Sequence, residues 1–153
     1  MTEITQSNHE LSESDYVILP FQEKWYWIFK NVTPTELTQT ELTEIEEILK
    51  IAVDKNNQAQ KEYLKKQSIE NPKYKQEKTG FELKLNGFKR QYVPVTNELG
   101  EKEIWINFFC RDFGSESWKT DLFTVFDGGN CFWNIKVNLT KKEYYKLGIN
   151  GNA

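Results

Sequence analysis

The side chains best suited to chemistry are two cysteines, four neighbouring carboxylates and one histidine, and their spacing argues against joint action. Cys110 and Cys131 form no CxxC pair, so a zinc or dithiol redox centre lacks its local framework. A cysteine nucleophile needs a base within hydrogen-bond reach. The only histidine, His9, lies in a polar N-terminal stretch. Both cysteines fall in phase with apolar residues of strand-like segments, which reads as reduced, buried thiols. A cross-strand disulfide is the alternative, favoured if the protein is exported. Asp112, Glu116, Asp121 and Asp127 could serve as acid and base or hold calcium or magnesium through oxygen. They do not follow the DxDxDG pattern with a closing glutamate, and they read as solvated loop carboxylates with a turn aspartate. There is no P-loop, GxGxxG, HExxH or GxSxG. The chain is therefore expected to hold no catalytic residue, metal ligand or cofactor.

Binding candidates are aromatic. Between Glu103 and Cys110, Ile104, Ile106 and Phe108 alternate with Trp105, Asn107 and Phe109, the two-residue period of a strand. From Cys131 to Leu139, Trp133, Ile135 and Val137 alternate with Phe132, Asn134, Lys136 and Asn138. One face of this sheet is apolar, whereas the second is mixed and expected to be only partly covered. Trp105, Phe109 and Phe132 on that second face, with Arg111, Asp112 and Trp118 of the loop RDFGSESWK, form the expected binding surface. Aromatic and arginine side chains at a patch centre carry much of an interface's energy. Trp118 could instead close one end of the sheet.

Other elements must position these residues. Thr120 to Asp127 reads as a further strand joined to Cys131–Leu139 by the turn Asp127-Gly128-Gly129-Asn130, placing Phe126 opposite Cys131 and Thr124 opposite Trp133. Tyr92–Thr96 is extended, and Pro94, which cannot donate to a ladder, places it at an edge or a bulge. Phe81–Leu85 alternates as a short extended segment. Thr38 with Glu41 fits a capping box, opening a helix to about Gln67. Its apolar stripe comprises Leu42, Ile45, Leu49, Ala52, Ala59 and Tyr63, with Asn56 in the vacant place. Acids Glu36, Glu41, Glu44, Glu46 and Glu47 precede Lys50, the first lysine of the helical segment, which suits the helix dipole, and Asn71-Pro72 ends the pattern. Trp25-Tyr26-Trp27 follows Pro20 as a short extended piece. It is a binding platform if exposed, and a cover for the core if buried.

With 153 residues, 38% of them hydrophobic, the chain suits one domain, taken as residues 15–153 behind a mobile tail, 1–14. A formal net charge of −3 argues against a dedicated nucleic-acid binder. No run of 18 apolar residues and no charged leader before an apolar core is visible, so the expected setting is the cytoplasm, with no membrane contact. The expected fold is α+β, with one long amphipathic helix on a four- to five-stranded antiparallel meander. The expected function is non-catalytic protein binding by a monomer or weak homodimer, with an inhibitor- or immunity-type role as one form. The alternative is a small-molecule or enzymatic pocket between helix and sheet, lined by Trp133, Tyr63 and Asn56.

The blocks PTELTQTEL, QYVPVTNELGEKEIWINFFC and DGGNCFWNIKVNLTKKEYYKLGINGNA resemble a group of small uncharacterised bacterial proteins of Bacteroidetes type, over residues 33–153. That resemblance implies no activity. A helix followed by a meander is also similar in layout to cystatin-like and NTF2-like folds, without a shared motif, and layout does not carry function.

Overall fold

The Thr38 hydroxyl accepts the Glu41 backbone amide (3.1 Å) and the Glu41 carboxylate accepts the Thr38 amide (3.0 Å), so the capping box is present. Helix α1 runs from it over Gln39–Glu70 and ends at Asn71, immediately before Pro72. The structure, a computed structural model, describes residues 11–73 and 76–151. His9 and most of the expected mobile tail lie outside the described residues. Within the remainder of that stretch, Leu11 packs against the core and Glu13–Asp15 forms a 3-10 turn capped by Ser12.

Only the first half of α1 is buried, through Leu42, Ile45, Ile48, Leu49, Ala52 and Val53. Ala59 and Tyr63, expected on the apolar stripe, are exposed. The change comes at two asparagines. Asn57 both donates to the Leu83 carbonyl and accepts its amide (2.8 Å each), and Asn56 donates to the Phe81 carbonyl (2.8 Å). The expected extended segment Phe81–Leu85 therefore joins no sheet. Its backbone groups pair with side chains, from the helix at Phe81 and Leu83 and also from Thr79, Asn130 and Arg90, which meets the same requirement as a ladder.

The sheet has strands β1 (Tyr16–Ile18), β2 (Thr33–Pro34), β3 (Lys89–Thr96), β4 (Lys102–Phe109), β5 (Phe132–Asn138) and β6 (Glu143–Ile149). Strands β3, β4, β5 and β6 form the antiparallel meander, but β1 lies parallel to β3, so the sheet is six-stranded and mixed where a purely antiparallel one was expected. The whole of α1 lies between β1 and β3 in sequence, a crossover long enough for parallel pairing. Strands β1 and β2 share the outer side of β3 and exchange places at Pro94. The Leu19 amide bonds the Tyr92 carbonyl, and the Thr35 amide bonds the Pro94 carbonyl. Pro94 thus occupies the break between two short partners, where no ladder donor is needed.

The second correction concerns residues 120–127. No strand forms there, and β4 pairs directly with β5 from Glu103↔Asn138 to Phe109↔Phe132. Gly128 and Gly129 adopt positive φ (95° and 69°) leading into a 3-10 turn, Gly129–Cys131, and Phe126 is 93% exposed instead of facing Cys131. The third correction is the thiols. Cys110 and Cys131 form a disulfide at the end of the β4–β5 ladder, Cα atoms 5.0 Å apart. Strand alternation stops at Phe109, so the two side chains meet each other rather than entering the helix-side core. Among the described residues, no helix is long and apolar enough to cross a membrane.

The helix-side core joins α1 to Tyr92, Ile104, Ile106, Phe108, Trp133, Ile135 and Val137. Arg90, only 1% exposed, lies within it. It meets the Glu46 carboxylate with both terminal nitrogens (2.5 and 3.2 Å), donates to the Tyr92 hydroxyl (3.1 Å) and lies over the Phe108 ring. Lys102 with Glu41, and Lys142 with Glu44, add two further ties. Three acids expected to suit the helix dipole thus pair with cations of the sheet region. Glu46→Ala should cost about 3–5 kcal/mol, because it leaves a buried guanidinium uncompensated, and Arg90→Met/Glu46→Leu should recover most of it; urea denaturation measures both. Cys110→Ser/Cys131→Ser should lower stability by about 3 kcal/mol through the reopened loop, and wild type in reductant should match it.

Candidate functional site

Strands β3, β4 and β5 present their second face as Gln91, Val93 and Val95, then Trp105, Asn107 and Phe109, then Phe132, Asn134 and Lys136, by alternation from the registers. Two irregular segments cover it. The first is residues 19–32, where Leu19, Trp25, Ile28 and Phe29 pack on Val93, Val95 and Trp105. Trp25 turns inward because the expected extended piece is a 3-10 turn, Glu23–Trp25, which frees Tyr26 and Trp27 to face outward, 65% and 55% exposed. Lys136 ties this cover down, donating to the Ile28 carbonyl beneath the Phe29 ring, and burial pushes its ammonium pKa down.

The second cover is residues 111–131. Its Trp118, Phe123 and Val125 pack with Phe109, Phe132 and Cys131. The straps are amides. Gln91, fully buried, donates to the Trp118 and Asp121 carbonyls (2.7 Å each) and accepts from the Phe123 amide (3.0 Å) and from Asn107 (3.1 Å). Asn107 also donates to the Phe123 carbonyl (2.6 Å), and Asn150 donates to the Val125 and Asp127 carbonyls. These contacts replace the ladder that residues 120–127 were expected to make.

Between the two covers lies a cleft of about 400 Å³. Trp27, Trp105, Phe126, Asn107, Asn134 and Asn150 are among its lining residues, and no lining residue has a titratable side chain. Trp27 stands edge-on to Trp105, ring centres 5.7 Å apart. Such a site can hold rings and uncharged hydrogen-bonding groups, and its lining side chains, Thr124 with its hydroxyl included, offer no acid or base.

The expected binding residues divide. Trp105, Phe109, Phe132 and Trp118 are 5%, 0%, 5% and 1% exposed. The second face is covered, where only partial cover was expected, because two chain segments close over it. Trp105 and Phe132 border the cleft, while Phe109 and Trp118 are interior, so the reading of Trp118 as closure is the one its burial favours. Arg111 is exposed with its guanidinium over Phe113. Asp112 is paired with Lys89 (2.6 Å) and accepts the Gly114 amide. The Lys89 hydrogen bond, then that amide, hold its carboxyl below the ordinary value of 3.8. Neither residue borders the cleft.

The pocket expected between helix and sheet does not assemble from its named residues. Trp133 is buried in a stack with Phe108, Tyr63 is 54% exposed, and Asn56 is spent on Phe81. Among the described residues, no group of three or more His, Cys, Asp or Glu side chains could hold a metal ion. Trp27 belongs to the Trp-Tyr-Trp cluster read as a platform if exposed, whereas Phe126, Asn134, Asn150 and Gln91 were not among the expected site residues. The available signal was the amide in phase with apolar residues, at Gln91 and Asn107. No family model, curated protein or solved structure matches the chain.

Gln91→Leu would leave three backbone groups of the second cover, the Trp118 and Asp121 carbonyls and the Phe123 amide, without their partner. The Phe123 amide should then exchange roughly tenfold faster or more, while α1 amides keep their protection. Trypsin should cut after Lys119, the two pieces separating only on reduction. Hydrogen exchange and mass spectrometry read both.

Proposed function

We propose that this protein is a non-catalytic protein-binding module that receives part of its partner in the cleft between the two covers. The observation that carries this reading is the combination of exposed rings and an uncharged interior. Trp27 and Phe126, 55% and 93% exposed, border a cleft that no titratable side chain lines. Tyr26 and Phe113, each 65% exposed, extend the apolar surface of the same two covers. Large side chains left in water around a depression are the usual anchor sites of protein interfaces. Relative to the surface expected from the sequence, the contact moves from Arg111, Asp112 and Trp118 to the cleft and its rim.

The volume of about 400 Å³ also falls in the small-molecule range, which would suit a small-molecule ligand, although this cleft is on the other face of the sheet from the pocket expected between helix and sheet. The exposed rings beyond the cleft favour a protein. An inhibitor- or immunity-type role is compatible with such a module. The disulfide favours an oxidising compartment over the cytoplasm expected from the sequence.

Trp27→Ala and Phe126→Ser remove side chains that are mostly in water, so each should change stability by no more than about 1 kcal/mol. Partner capture from the native cell, followed by cross-linking, should be lost in both and kept in Tyr63→Ala on the exposed half of α1. A partner retained by both rim variants would rule out the cleft.

A further inference from the structure

The register aligns a row of residues across the second face: Gln91 on β3, Asn107 on β4, Asn134 on β5 and Gly148 on β6. The first two grip backbone that belongs to no strand. Gln91 takes the N–H of Phe123 and Asn107 takes its C=O, so one peptide unit after another of the crossing segment is held by side-chain amides. The same chemistry recurs where Asn57 holds both backbone groups of Leu83. Asn134, next in the row, makes no side-chain hydrogen bond among the described residues, although it borders the cleft. Beyond it the row ends in glycine. A Cβ at Gly148 would stand 3.4 Å from Asn134 Oδ1, an ordinary contact distance, so the Asn134 amide lies beside the glycine backbone.

We infer that Asn134 is a receptor for peptide backbone: it holds an extended, uncharged segment of the protein partner in the cleft, as Gln91 and Asn107 hold this chain's own segment. This rests on the protein-binding reading above. A peptide fits better than another uncharged ligand because the adjacent amides in the same row already bind peptide groups. Neighbouring strand positions are about 4.8 Å apart, so a segment over Asn134 lies one strand spacing from the segment over Asn107. An apolar side chain of that segment meets Trp27 and Trp105, and the absence of lining charge disfavours Asp, Glu, Lys or Arg at that position.

The test is selection of a displayed random heptapeptide library on the oxidised full chain, followed by titration of the enriched peptides as synthetic, end-capped molecules. Asn134→Ala should weaken them roughly tenfold, the loss of about one well-made hydrogen-bonded contact, and Trp27→Ala should weaken them as well. Asn134→Thr, which keeps strand preference and removes the amide, gives the same comparison if alanine impairs folding. Enriched peptides sensitive to Trp27 and indifferent to Asn134 would overturn this inference and leave the proposed function standing. Failure to enrich any peptide would also overturn it, and loss of partner capture in Trp27→Ala would then still support the broader reading. Glucose shifting the Asn134 side-chain amide signals in NMR, with no peptide doing so, would replace the peptide by a sugar.

Discussion

One side-chain amide organises the functional face of this protein. Gln91 is fully buried and uses its whole hydrogen-bonding capacity, two donors to carbonyls of the crossing segment and an acceptor shared by Phe123 and Asn107. A buried amide half satisfied would be costly, whereas a saturated one specifies a single arrangement. Residues 118–123 therefore cross the sheet in one place without being part of it, and the wall of the cleft follows from that placement.

The rest of the architecture supplies rigidity around this strap. On the opposite face, Arg90 and Glu46 dock α1 onto β3 by a two-point contact, beside a large aromatic core of Phe88, Phe108 and Trp133. At the end of β4 and β5 the disulfide joins the two ends of the second cover. A site assembled from irregular segments on such a scaffold can expose Trp27 and Phe126 without loss of stability, because neither ring contributes much to a core.

Period and caps were legible because they are local. The helix start, the capping box and the alternation of β4 and β5 all depend on residues within a few positions of one another. Pro94, expected at an edge or a bulge, instead lies in a strand paired on both sides, at the gap between β1 and β2. The failures have one origin. Thr120–Asp127 has strand-like composition, and an extended chain can meet its hydrogen-bond requirement from side chains 30 positions away as readily as from a ladder. The same holds for Phe81–Leu85 against Asn56 and Asn57. Alternation also identified Trp105, Phe109 and Phe132 as sharing a face, but whether that face met water depended on segments far away in sequence.

The amino-acid sequence by itself determined one long helix, the alternating strands β4 and β5 with an extended β3 before them, an apolar helix-side face and the absence of the familiar phosphate, dinucleotide and protease motifs; the final strand β6 it did not mark. Local propensity and periodicity suffice for those. Tertiary structure alone decided the parallel β1, the pairing of Cys110 with Cys131, the burial of Trp118 and the opening of a cleft at Asn134. Each of these depends on which distant segments come to lie side by side, and in this chain that was settled by buried amides and one buried ion pair whose partners no local pattern marks.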